Sequence, residues 1–218
     1  MAAAALLAGT ATAGAADKAG PSQVKPLDPA WFVKVGPGGV FFDSSAKLYN
    51  AAGQVDGASA RATDNLAALF EIGYFFTNEI AVSLTGGVPP TTTLNGRGTA
   101  SAFGTLGKVT YGPATLTAHY HFKDFGALQP YAGLGVGYAI IFGQQDGAVQ
   151  QLKVKGAPAF VMQAGADWMI DKNWGVFVDV KKLLLSVDAS GNLLGAVPVT
   201  ARVRLDPTIV FTGVSYRF

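Results

Sequence analysis

His119 and His121 are the two histidines of the chain, and a single residue separates them. On a strand that spacing puts both imidazoles on one face, about 7 Å apart, where two rings could share a metal ion. With no Cys and no third His, Asp or Glu would have to complete a site that takes three or four protein ligands. We therefore assign no metal and no cofactor. A His beside a Ser and an orienting acid could instead activate the hydroxyl against a lipid ester. Alternation through Thr115 to Lys123 sets Leu116, Ala118, Tyr120 and Phe122 on one face and His119, His121 and Lys123 on the other. The bases point away from the apolar face, so no catalytic residue is assigned and the expectation is a protein without a chemical step.

The same polar parity collects Lys34, Glu71, Asp167, Asp179 and Lys181 from other segments. Charges in a water-poor interior persist only when paired. Together with His119, His121 and Lys123 they read either as a network that plugs an interior and fixes strand register, or as a polar constriction that stops ions beneath an apolar vestibule.

Positioning such a face requires strands. The period of two holds for nine residues through Thr115 to Lys123 and recurs in Leu134, Val136, Tyr138, Ile140 and Phe142, in Phe160 to Trp168, and in Trp174 to Val180. Strands are expected near 31–43, 66–77, 79–88, 108–123, 129–143, 157–170, 173–187 and 200–218. Tight turns are expected around Thr77-Asn78 and Asp171-Lys172-Asn173, whereas 44–65, 89–107, 144–156 and 188–199 read as long connections too rich in Gly, Pro and polar residues to be strands.

The chain has 218 residues, 50% of them hydrophobic and only 14% charged, too few charges for an ordinary water-facing surface. Past the N-terminus no apolar run reaches the roughly 18 residues that a spanning helix needs. Closed barrels are the other structure that satisfies all backbone groups in lipid. Short turns alternate with long connections, as in barrels with periplasmic turns and extracellular loops. The fold class is therefore all-β, an eight-stranded antiparallel transmembrane β-barrel over 31–218. Residues 1–16 read as the remnant of an export signal ending in Ala13-Gly14-Ala15-Ala16, and 17–30 as an N-terminal periplasmic segment. The net charge of +2 argues against nucleic-acid binding.

A soluble lipid-carrying barrel also alternates. Lipid on the outside is favoured by Trp168 and Trp174 flanking a tight turn on the apolar face, by charges of both signs on the opposite face, and by a chain that ends within a strand at Tyr216-Arg217-Phe218. The localisation expected is the bacterial outer membrane. The aromatic-terminated last strand resembles the signal read by the barrel assembly machinery. Gln129-Pro130-Tyr131-Ala132-Gly133-Leu134-Gly135-Val136-Gly137-Tyr138, Trp174 to Lys181, Leu205-Asp206-Pro207 and Gly213 to Phe218 resemble, in that order, the outer membrane protein W (OmpW) family.

The resemblance covers roughly residues 31–218. It implies a barrel concerned with small hydrophobic compounds, with a narrow apolar interior and a lateral exit through the wall. Partners implied are outer-membrane lipid and small hydrophobic solutes, with the chain a monomer. In the last strand Val203, Leu205, Ile209 and Phe211 share one parity, Val210, Val214, Tyr216 and Phe218 the other, and Pro207 removes a ladder donor between them. That is either a conduit with a lateral opening or a bulge that switches parity. Leu205, Pro207, Ile209, Phe211 and Phe177 are the candidates for a solute path. Gly133, Gly135 and Gly137 share one face, leaving either a passage or room for large residues such as Phe75 and Phe177 to pack across the interior. The competing reading of the whole is a closed structural or surface-binding barrel that transports nothing.

Overall fold

The computed structural model describes residues 30–51 and 53–218. The expected export-signal remnant and residues 17–29 lie outside the described residues. Eight antiparallel strands form the barrel: β1 (Trp31–Phe41), β2 (Asn65–Phe75), β3 (Ile80–Gly87), β4 (Thr105–His121), β5 (Leu128–Asp146), β6 (Ala157–Met169), β7 (Trp174–Leu184) and β8 (Thr208–Arg217). Each pairs with its neighbours in sequence, and β8 pairs back onto β1 from Phe32 with Arg217 to Phe41 with Thr208. At the join, Trp31 N–H donates to Phe218 O at 3.0 Å and Phe218 N–H to Trp31 O at 2.9 Å. The terminal residue thus closes the cylinder, leaving no edge strand in the lipid. No described helix is long and apolar enough to cross a membrane.

Alternation sorts the two faces as expected. Outward-pointing Val35, Phe70, Leu84, Leu116, Val136, Met162, Val178 and Val214 are all exposed, whereas inward Lys34, Glu71, Thr117, Asp167, Asp179 and Ser215 are all buried. Aromatics ring the periplasmic end: Trp31 packs on Tyr74, Tyr120 on Phe122, and Trp174 on Tyr216, with Trp168 beside them. Amphipathic rings at that level mark the membrane–water boundary. The turn beyond it is fixed by Asp171, whose carboxylate accepts from Asn173 N–H at 2.8 Å and Trp174 N–H at 2.7 Å. These two backbone donors hold its carboxyl below the ordinary carboxylate range.

The long connections are not irregular. They contain strands Ser45–Asn50, Gly53–Gln54 and Ala58–Ala62, Thr91–Gly98, Val149–Val154, and the hairpin Ser186–Leu193 with Val197–Arg204. The alternation there is carried by small residues, which conceal it: Ala46, Ala60, Ala62, Val187 and Val203 point inward and are buried, while Lys47, Arg61, Asp188 and Arg202 point out. The barrel therefore continues beyond the lipid as a β-structured extension with a hydrophobic interior.

The Gly stripe of β5 is filled by the adjacent strand, not by Phe75 or Phe177. A Cβ on Gly133 would stand 2.6 Å from the His119 Cβ, and one on Gly135 2.6 Å from the Thr117 Cγ2. Glycine lets β5 close onto the inward side chains of β4, while Phe75 packs on Phe32 and Phe177 on Phe211. A charge placed on the lipid face should be costly here: Val178→Lys is expected to lose about 2–4 kcal/mol in urea unfolding from lipid vesicles, and Thr200→Lys, outward but above the lipid, to stay within about 0.5 kcal/mol of wild type.

Candidate functional site

The interior divides into a charged floor at the level of the membrane and an apolar space above it. In the floor, Lys181 on β7 reaches across the lumen: its Nζ lies 2.8 Å from Glu71 Oε2 of β2 and 2.7 Å from Asp179 Oδ1. Asp179 also accepts from Tyr131 OH and Gln163 Nε2, each at 2.7 Å, and Thr85 donates to Glu71 at 2.7 Å. Lys34 on β1 sits 2.7 Å from Asp167, donates to Tyr131 OH at 3.1 Å, and lies 4.2 Å from the Tyr131 ring centroid. Nearer the periplasm, Arg217 holds Asp167 at 3.1 Å and shares Gln129 with Lys123. Three buried cations, Lys34, Lys181 and Arg217, face three buried carboxylates, Glu71, Asp167 and Asp179. Balanced and mutually bonded, they meet the condition under which buried charge is tolerated.

The structure thus brings Lys34, Glu71, His119, His121, Asp167, Asp179 and Lys181 into one network, with Lys123 at its lower edge. The two imidazoles bond to each other, His119 Nδ1 to His121 Nε2 at 2.8 Å, and His119 Nε2 meets Ser83 Oγ at 3.1 Å. The remaining ring nitrogen, His121 Nδ1, stands 3.9 Å from Asp167 Oδ2, so the two rings form a relay from Ser83 towards Asp167 rather than converging on a common point. Although Ser83 touches a His, the other nitrogen of that ring faces His121 rather than a carboxylate, and both side chains are buried, so the contact is a lumen hydrogen bond. Tyr131, Gln163, Ser83, Thr85, Thr117 and Arg217 were missed as network members. All six have the inward parity, which is the signal that marks them in the sequence; five of them carry no charge, and Arg217 lies in the terminal Tyr216-Arg217-Phe218.

Above the floor the lining becomes apolar. One cavity of about 50 Å³ is lined by Phe42, Leu94, Val109, Ile141, Val187, Leu205 and neighbours, and a second of about 50 Å³ lies above it, sharing Leu94, Ala189 and Val203. Leu205 therefore lines the upper space. Ile209 and Phe211 line a smaller cavity of about 10 Å³ beside Lys181, which reaches the wall at Gly86 and Pro113. Phe177 packs against Phe211, ring centroids 4.6 Å apart.

Pro207 is buried, and parity does not switch around it: Val203, Ile209 and Phe211 are all buried on the inward side. On the β7 side the ladder is stitched across the proline. Pro207 O accepts from Leu183 N–H at 2.9 Å, Leu205 N–H donates to Leu185 O at 3.1 Å, and Asp206 Oδ1 takes Leu185 N–H at 3.0 Å. A wider break lies elsewhere. The β3–β4 register stops at Thr85 with Thr115, and the next backbone bond across that seam, among the described residues, is Tyr111 N–H to Pro90 O at 3.1 Å.

Known proteins carry the same architecture. The model of the OmpW family matches residues 30–218. The dibenzothiophene metabolism operon protein PahQ of Pseudomonas aeruginosa is 37% identical over 188 residues, covering 86% of this chain and 88% of that protein. The outer membrane protein AlkL of Ectopseudomonas oleovorans is 38% identical over 151 residues, 68% of this chain and 64% of that protein. The crystal structure of the outer membrane protein OprG from Pseudomonas aeruginosa superposes with a TM-score of 0.81 at 22% identity, covering 87% of this chain and 96% of that one.

Removing one partner from the floor should expose its worth. Lys181→Met strands Glu71 and Asp179 and is expected to cost about 3–5 kcal/mol in urea unfolding from vesicles, whereas Lys181→Met combined with Glu71→Gln and Asp179→Asn should recover most of that loss.

Proposed function

This chain belongs to the OmpW family of outer-membrane β-barrels, and we propose that it admits small hydrophobic molecules passively, from the outside into the lipid bilayer. It is a lipid-embedded barrel protein of the bacterial outer membrane and not an enzyme. The observation that carries the reading is the apolar interior of the extension, which stands directly on a floor of mutually bonded charges. A hydrophobic solute gains about 25 cal/mol for each Å² of apolar surface it buries on entering such a lining. Passing the floor would force it between charged groups that it cannot hydrogen-bond.

The exit therefore leads through the wall, at the β3–β4 seam beside Gly86 and Pro113. Pro113 and Pro89 have no N–H, so the missing ladder there leaves fewer donors stranded in hydrocarbon than it would elsewhere. Leu205, Ile209 and Phe211 line the descent, with Phe177 behind Phe211. Pro207 lies in the wall, where the ladder towards β7 is mended. The chain acts as a monomer, inserted by the barrel assembly machinery through its C-terminal strand. PahQ and DoxH are relatives named for operons of dibenzothiophene metabolism, which makes that planar sulfur heterocycle a suitable first solute.

A second reading, a closed structural barrel, draws support from the size of the cavities. About 50 Å³ is far below the roughly 300–1,000 Å³ of a small-molecule pocket, so solute entry must part the strands of the extension. Dibenzothiophene uptake into lipid vesicles separates the two. Conduction predicts faster uptake with the protein than without it, lowered to the protein-free rate by Ala189→Trp, which fills both apolar cavities, and slowed by Pro113→Ala, which restores a ladder donor. Pro207→Ala should leave the rate unchanged; slowing by that variant alone would move the exit to β8. Uptake equal to that of empty vesicles would establish the closed barrel.

A further inference from the structure

The outward face of the extension carries a cationic surface placed where the lipid belt ends. On the outer side of the sheet formed by Val149–Val154, Ser186–Leu193, Val197–Arg204 and Ser45–Asn50, the backbone pairings set Lys155, Asp188, Arg202 and Lys47 side by side across four strands. Lys155 N–H donates to Asp188 O, Asp188 pairs with Arg202, and Arg202 with Lys47. Lys153 and Arg204 flank this row. Of the nearby carboxylates, Asp188 pairs with the exposed Arg202 at 3.2 Å, Asp206 is engaged by Arg204, and Asp43 stands exposed at the lower corner. Five cations thus meet three acids. Lys47, Lys153 and Lys155 are exposed and have no ion-pair partner among the described residues. Lys153, Lys155 and Arg202 line a groove of about 440 Å³, to which Tyr49, Asp188, Ser190 and Thr200 also contribute, and Lys47 stands at its edge, paired with Arg202 on the neighbouring strand.

The level of this groove is set by the strands beneath it. On the outer faces of β1, β6, β7 and β8 the apolar side chains reach up to Phe41, Phe160, Leu184 and Val210; Ser186 follows Leu184 by one outward step, and Arg204 lies four residues beyond Thr208. A cation row immediately above an apolar belt is complementary to an amphiphile with an anionic head and acyl tails. Strands spaced about 4.8 Å apart separate Lys155 from Lys47 by about 14 Å, which suits a head group carrying two phosphates at its ends better than a single phosphate.

We propose that this groove binds the phosphorylated sugar head group of an outer-leaflet glycolipid, whose acyl chains lie against Leu184 and its neighbours. Seated there, the lipid braces the hairpin Ser186–Leu193 with Val197–Arg204 from outside, against the same strands whose inner face lines the apolar cavities.

The test is binding of diphosphoryl lipid A to the full-length folded protein in detergent, read by native mass spectrometry. Two triple variants carry equal charge loss: Lys47→Gln with Lys153→Gln and Lys155→Gln at the groove and its edge, and Arg61→Gln with Arg97→Gln and Lys108→Gln on the outward face elsewhere on the extension. The groove triple should bind roughly 100-fold more weakly, at about fivefold per cation, with the other triple near wild type, and monophosphoryl lipid A should bind wild type more weakly than the diphosphoryl form. Equal losses in both triples would reduce the effect to general surface charge and overturn the proposal. Displacement of lipid A by inorganic phosphate at matching concentration would make it an anion site rather than a lipid site. Should the groove triple misfold, salt titration of the wild type decides: binding unaffected by salt would equally sink the idea, because exposed charges are screened.

Discussion

Inside hydrocarbon every backbone N–H and C=O must find a partner within the protein, and the closure between β1 and β8 is where this chain meets that requirement. The reciprocal bonds between Trp31 and Phe218 turn a curved sheet into a cylinder. The rest follows from the size of that cylinder. Eight strands leave an interior only wide enough for side chains, so the inward residues of opposite walls must meet. Lys181 of β7 reaches Glu71 of β2, and Lys34 of β1 reaches Asp167 of β6. The charges are thus obliged to pair by geometry, and their pairing in turn fixes register, since a slip of one residue would send them into the lipid.

The constraint weakens where the chain leaves the bilayer, and the structure changes with it. Above the lipid, water can satisfy a stray donor, and the wall is mended by side chains in place of ladders. Gln144 pairs with both backbone groups of Val154, at 3.1 and 3.0 Å. Ser44 Oγ takes Ala62 N–H at 3.1 Å, and Asp146 takes Gln151 and Leu152 N–H, each at 2.9 Å, bonds that hold its carboxyl below the ordinary range. Joints made by single side chains are held by fewer bonds than a continuous ladder, so the places where the wall can part at least cost lie in the extension, between its own ladders.

Much of this was legible in the sequence because lipid outside and charge inside enforce a strict period of two. The nine-residue alternation around His119 and the charged residues of opposite parity predicted both the strands and the network. The extension was hidden because its inward positions hold Ala46, Ala60 and Ala189, too small to stand out against flanking Ser, Thr and Gly. The Gly stripe of β5 was visible, but its partner was not, because which residue fills a missing Cβ depends on stagger between strands. For the same reason Pro207 looked like a break. Its donor is indeed missing, but Asp206 at positive φ turns its carboxylate to cap Leu185, a repair made by tertiary placement that no spacing rule encodes.

The floor and the proposed route constrain one another. An ion arriving from above would have to displace carboxylates and ammonium groups already bonded to each other, each costly to leave unpaired once buried. An apolar solute would have to separate the same pairs with nothing to offer in exchange. On the proposed route, one network closes the periplasmic direction to both kinds of molecule. What distinguishes them is the wall: an ion cannot enter hydrocarbon sideways, whereas an apolar solute loses nothing by doing so. Selectivity by the proposed route needs no binding site shaped to a particular solute, only a polar floor, an apolar chamber above it and a seam whose prolines make an unpaired stretch of wall tolerable.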